Sequence, residues 1–108
     1  MKIKNGVILM DCWQAWHVKA AVDIAFFETV GHQAMMTSAA DSEHSEHSKH
    51  YSWCAYDFRI YQDNDTKKPK YEKPTLQNLA ANMSGRLGSL YDVVIEKSHI
   101  HVEYDPKY

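Results

Sequence analysis

A chain of 108 residues has the length of one domain, since a single hydrophobic core organises roughly 100–200 residues. Its 44% hydrophobic content, three Trp, seven Tyr and only four Gly exclude a disordered or collagen-like chain and predict a folded globular protein. The formal net charge of -2 excludes a protein whose main task is to coat nucleic acid, which needs a basic excess.

Chain order begins with a basic start and a short apolar run before Asp11, and Gly6 to Met10 is predicted as a first strand or anchoring segment. That run is too short for a signal-peptide core or a membrane span. The expectation is a protein made in the cytoplasm, with no membrane insertion.

Trp13 to Val30 reads as a helix: Trp13, Trp16, Ala20, Ile24, Phe27 and Val30 recur at spacings of three and four, and Gly31 supplies the stop. These apolar residues are expected to face the core. Gln33 to Thr37 suits a short strand, and Ser38 to Lys49 is too polar for anything but a loop.

Trp53 to Tyr61 is aromatic and β-branched and predicts a strand, followed by an exposed loop over Gln62 to Lys73. Thr75 is the expected N-cap of a second helix whose apolar face is Leu76, Leu79, Ala80, Met83 and Leu87, stopped by Gly88. Tyr91 to Ile95 and Ser98 to Tyr104 predict two more strands. In the last one His99, His101 and Glu103 share one side while Ile100, Val102 and Tyr104 share the other. The expected architecture is α+β, a small, mostly antiparallel sheet with helices packed on one face.

The chemistry-bearing residues are concentrated in two places. Of the seven histidines, His44, His47 and His50 precede the strand of Asp57, and His99 and His101 share one strand face. His17 and His32 read as surface or satisfied core residues, and His44 and His47 as loop residues. A loop histidine at 50 and a strand aspartate at 57 bring two ligands toward one point, and the His99-Ile100-His101 strand supplies a third. Imidazole and carboxylate without thiolate suit an open zinc site, in which three protein ligands leave a fourth position for water. The two cysteines, Cys12 and Cys54, form neither a disulfide framework nor a thiolate–metal spacing. They are expected to be reduced and half-buried. The Lys67-Lys68-Pro69-Lys70 run reads as a solvated loop.

The run Ser48-Lys49-His50-Tyr51-Ser52-Trp53-Cys54-Ala55-Tyr56-Asp57 resembles the S-x-H-x-x-G-x-A-x-D signature of the zinc D-alanyl-D-alanine metallopeptidases. Glu96-Lys97-Ser98-His99-Ile100-His101-Val102-Glu103 resembles their second, histidine-bearing strand. That group includes D-Ala-D-Ala carboxypeptidases and dipeptidases, phage endolysins that cut L-Ala-D-Glu bonds, and the zinc fold of the hedgehog signalling domain. Met36-Thr37-Ser38 and Tyr91-Asp92-Val93-Val94 are also similar to short phage-type members, so the likeness spans most of the chain.

The resemblance implies a hedgehog-like fold and Zn²⁺ on His50, Asp57 and His101. Members with a His-x-His strand use the second histidine, whereas a Glu-x-x-His motif favours His99; His101 is the preferred ligand here. Glu96 and His99 are the candidate proton carriers. Arg59, on the same predicted strand face as Asp57, is read as a grip for a substrate carboxylate or the oxyanion, or as the partner in a salt bridge to a neighbouring acid such as Glu103. Ser48 orders the loop or binds substrate.

The implied function is hydrolysis of bacterial cell-wall peptides by a monomeric zinc peptidase, either released at phage lysis or carried on a virion. One departure is plain: Trp53 stands at the signature's glycine, where a large side chain narrows or reshapes access. This keeps a second expectation open, a non-catalytic zinc-binding module of a phage particle or of a cell-wall recognition protein.

Overall fold

The computed structural model describes residues 1–7, 12–39, 55–60 and 70–105. Within them lie β1 (Lys2–Ile3), α1 (Trp13–Val30), β2 (Met35–Ser38), β3 (Ala55–Arg59), α2 (Lys73–Leu87), β4 (Tyr91–Ile95) and β5 (His99–Tyr104). The five strands make one sheet in the order β1-β2-β3-β5-β4, antiparallel except for the β1–β2 pair. The expected α+β class is met in that form.

The sheet's inner face carries Met36, Tyr56, Phe58, Ile100 and Val102, and they join the buried residues of both helices in one core cluster. The register explains this. Tyr56 lies opposite Val102 and Phe58 opposite Ile100, so buried residues meet buried residues across β3 and β5. The alternate positions Asp57, Arg59, His99, His101 and Glu103 are then turned to the outer face.

Helix α1 is the element whose orientation differs from expectation. Its buried residues are Ala15, Val18, Ala21, Val22, Ala25 and Phe26. The stripe expected to be core is largely outside: Trp13 is 58% exposed, Trp16 65%, Ile24 46% and Phe27 57%. Both stripes have helical spacing, and α1 is apolar around most of its circumference. Periodicity therefore cannot choose between them. The stripe that is buried instead is the one with the smaller residues, Ala15, Ala21 and Ala25 among them, and it joins the common core cluster.

The helix ends are where glycine matters. Gly31 adopts φ 79°, a left-handed conformation, and its N–H donates to the carbonyls of Phe26 and Phe27. Helix α2 begins earlier than expected, at Lys73 rather than after a Thr75 cap, because Pro74 sits in the first turn where its missing N–H costs no hydrogen bond. Gly88 ends it as expected, with its N–H on Ser84 O. Between the helices, Arg86 and Asn82 donate to the Glu28 carboxylate. These hydrogen bonds, Arg86 first, hold the Glu28 pKa below the usual carboxylate value.

The first strand is also displaced from expectation. It is Lys2–Ile3, paired in parallel with Met35 and Met36. Gly6 instead takes φ 92° in a turn, where Val7 N–H reaches Lys4 O at 3.2 Å, and an extended strand cannot start through such a residue. Residues 8–10 of the expected strand lie outside the described set. So do 53, 54 and 61 of the expected 53–61 strand, 40–49 of the polar loop and 62–69 of the next one. The strand Tyr91–Ile95 has the expected bounds, and the last strand begins at His99 rather than Ser98.

Candidate metal centre

Strands β3 and β5 pair with Asp57 opposite His101 and Arg59 opposite His99. Since side chains alternate along each strand, this register sets Asp57, His99 and His101 on one outward patch. One nitrogen of each histidine and one carboxylate oxygen lie within 4.8 Å of one another. The three side chains are partly exposed, at 22% for Asp57, 31% for His99 and 27% for His101. The patch is thus held by paired strands yet open to solvent.

The Nδ1 of His101 donates to Asp57 Oδ1 at 2.7 Å, and His99 Nε2 stands 3.5 Å from the same oxygen. Glu103 Oε1 is 3.8 Å from His101 Nε2. The hydrogen bond to Asp57 raises the His101 pKa above its usual 6.5; burial opposes this, and the charges of Asp57, Glu103 and Glu96 add to it. A proton between Asp57 and His101 therefore holds two potential ligands together. Tetrahedral zinc, with protein ligands at roughly 2.0–2.2 Å, spaces its ligand atoms about 3.4 Å apart. Two imidazole nitrogens and a carboxylate oxygen within 4.8 Å of one another are a donor set of the kind that could bind a metal ion once that proton is lost.

Of the expected site residues, the structure gathers Asp57, His99 and His101. His50, Ser48 and Trp53 lie outside the described residues. Glu96 is exposed at the turn between β4 and β5, and its backbone N–H donates to His99 O at 2.8 Å. Its negative charge is among those that act on His101. Glu103, the example of a neighbouring acid for Arg59, is opposite Ala55 while Arg59 is opposite His99, a separation of about 13 Å along the strand that sets Glu103 itself apart from Arg59.

Arg59 instead borders a cavity of about 320 Å³ lined also by Lys2, His32, Gln33, Lys70 and Tyr71. The convergence of Lys2, Arg59 and Lys70 was not legible in the sequence, because the three cations come from β1, β3 and the segment before α2. Lys70, the described member of the basic run expected to be a solvated loop, is part of it. The remaining described histidines have structural partners, as expected. His17 Nε2 is 3.1 Å from Leu87 O. His32 Nδ1 is 2.8 Å from Gln33 O, and its Nε2 bonds the Tyr71 hydroxyl. Cys12 is half-buried and free, 3.9 Å from the Tyr56 hydroxyl. No described helix is long and apolar enough to cross a membrane.

Comparison with protein-family models, curated proteins and solved structures found no match.

Proposed function

We propose that this chain is a zinc metallopeptidase acting on bacterial cell-wall peptides, of the D-Ala-D-Ala carboxypeptidase or L-Ala-D-Glu endopeptidase type. The observation that carries the metal half of the reading is the grouping of Asp57, His99 and His101 on two paired strands. The substrate half rests on the resemblance of the His50–Asp57 and Glu96–His101 runs to that family. The metal would be held by Asp57 and His101 with His50, or with His99 as a further ligand. When bound, zinc supplies an acidified water and a Lewis acid for the scissile carbonyl.

The chain's own residues divide the rest of the work. Glu96, solvent-exposed at the turn before His99 and with its charge acting on His101, would take a proton and return it to the leaving amine. His99 is shared between the ligand set and that proton path. Arg59, opposite His99 and lining a cavity with Lys2 and Lys70, would hold a peptide carboxylate.

The test is zinc content followed by mass-spectrometric identification of the ends released from purified peptidoglycan. The expected result is one zinc per chain and a cleaved peptide bond, with cleavage lost and zinc retained in Glu96→Gln. Stoichiometric zinc without cleavage would sink the enzyme and leave the non-catalytic zinc module, the reading that Trp53 in place of the signature glycine favours. Failure to bind zinc would sink both.

A further inference from the structure

The outer face of α1 carries an apolar stripe that the core does not use. Its residues are Trp13, Trp16, Ala20, Ile24 and Phe27, of which the four large ones are between 46% and 65% exposed. Trp13 makes an edge-on ring contact with Tyr104 at 5.3 Å, and Lys19 sits 4.7 Å over the Trp16 ring. None of these residues belongs to the metal centre.

The spacing of the stripe is symmetric. Trp16 and Ile24 each stand four residues from Ala20, and Trp13 and Phe27 each stand seven from it. On a helix all five fall within one narrow face running about 21 Å. A second α1 laid antiparallel across that face, with its Ala20 on this Ala20, sets Trp13 against Phe27 and Trp16 against Ile24. The same contacts then occur twice, as a twofold interface requires. The small central residue admits the partner backbone, and the large residues close over it on both sides. We infer that the α1 faces of two copies of this chain pair antiparallel about Ala20 to form a twofold dimer.

Area and charge agree with this occupant. Large apolar side chains offer roughly 150–250 Å² each when aromatic, so the exposed fractions here amount to on the order of 500 Å². This is the size of a functional patch, and with the flanking Gln14, His17 and Lys19 it approaches the about 800 Å² per partner of a standard interface. A lipid surface is the poorer occupant. Membrane-surface helices carry a Lys/Arg-rich polar face, whereas α1 has one Lys against Asp23 and Glu28.

Sedimentation equilibrium of the full chain tests the pairing. The expected mass rises with concentration toward about 25 kDa, twice the 12.5 kDa chain, over roughly 1–100 µM. Trp16→Glu should return the mass of one chain with unchanged helical circular dichroism and unchanged zinc content. Ala20→Cys should form a disulfide-linked dimer on mild oxidation in greater than tenfold excess over the wild type, because residue 20 alone on the stripe faces its own copy. A mass of one chain throughout overturns the inference. So does a dimer that survives Trp16→Glu, or one that Ala20→Cys does not crosslink.

Discussion

Asp57 and His101 occupy opposed positions on β3 and β5 and share a hydrogen bond of 2.7 Å between Oδ1 and Nδ1. The bond does for the metal-free protein what a zinc ion would do for the loaded one, holding a carboxylate and an imidazole together on the outer face of the sheet. A proton and a metal ion would compete for this same pair.

Replacing either partner should therefore be felt more in metal affinity than in folding. Asp57→Asn or His101→Ala is expected to weaken zinc binding by roughly 100-fold or more, beyond the 10–100-fold typical of residues that only support a ligand. Because the side chains are 22% and 27% exposed, circular dichroism should stay that of the wild type. Isothermal titration with zinc measures the affinity, and wild-type affinity in both variants would remove these residues from the ligand set.

The pH dependence has a definite sign. The His101 pKa is raised above 6.5 in the folded chain, so its pairing with Asp57 contributes stability that is fully present below the unfolded value. That contribution is lost as pH rises through the folded value. Zinc affinity should move the opposite way and increase over the same range, as the competing proton leaves. Thermal melts with chelator and with zinc at pH 6 and pH 8 should show the gap between them widening at pH 8. A gap independent of pH would contradict the rivalry.

Stability should separate the two faces of α1. Phe26 is fully buried and Trp16 is 65% exposed. Phe26→Ala is expected to cost about 3–5 kcal/mol, whereas Trp16→Ala, measured at concentrations where the chain is dilute, should stay within about 0.5 kcal/mol. Urea denaturation gives both values. A larger loss at Trp16 than at Phe26 would mean that the helix is rotated from the orientation described.

Gly31 caps α1 at φ 79° with open space where a Cβ would be. Gly31→Ala should then cost about 1–2 kcal/mol from backbone conformation alone, since no clash adds to it. Denaturation of this one variant is a sufficient check, and a neutral result would argue against the left-handed cap.

Much of the site was legible because it lies where local pattern and tertiary structure agree. The alternation His99, Ile100, His101, Val102, Glu103, Tyr104 has period two, and only a strand with one buried face reconciles it. The meeting of that strand with Asp57 is a long-range pairing, which the order of two motifs suggested but periodicity alone could not show. What sequence misplaced has a common origin in competing local signals. On α1 two apolar stripes have helical periodicity, and bulk favours as core the one that lies outside. At α2 the cap preference of Thr75 competed with the first-turn preference of Pro74. The cavity between Lys2, Arg59 and Lys70 left no local signal, because three distant segments assemble it.

The register of β3 on β5 carries a consequence for which changes the sheet can tolerate. A slip of one residue would turn His99 and His101 into the core and Ile100 and Val102 out to water. Any change that loosens this pairing is thus penalised twice, once in burial and once in the outward patch. A metal ion bound at the candidate centre would report the register of the sheet, since a misregistered copy would lack the outward Asp57–His99–His101 patch.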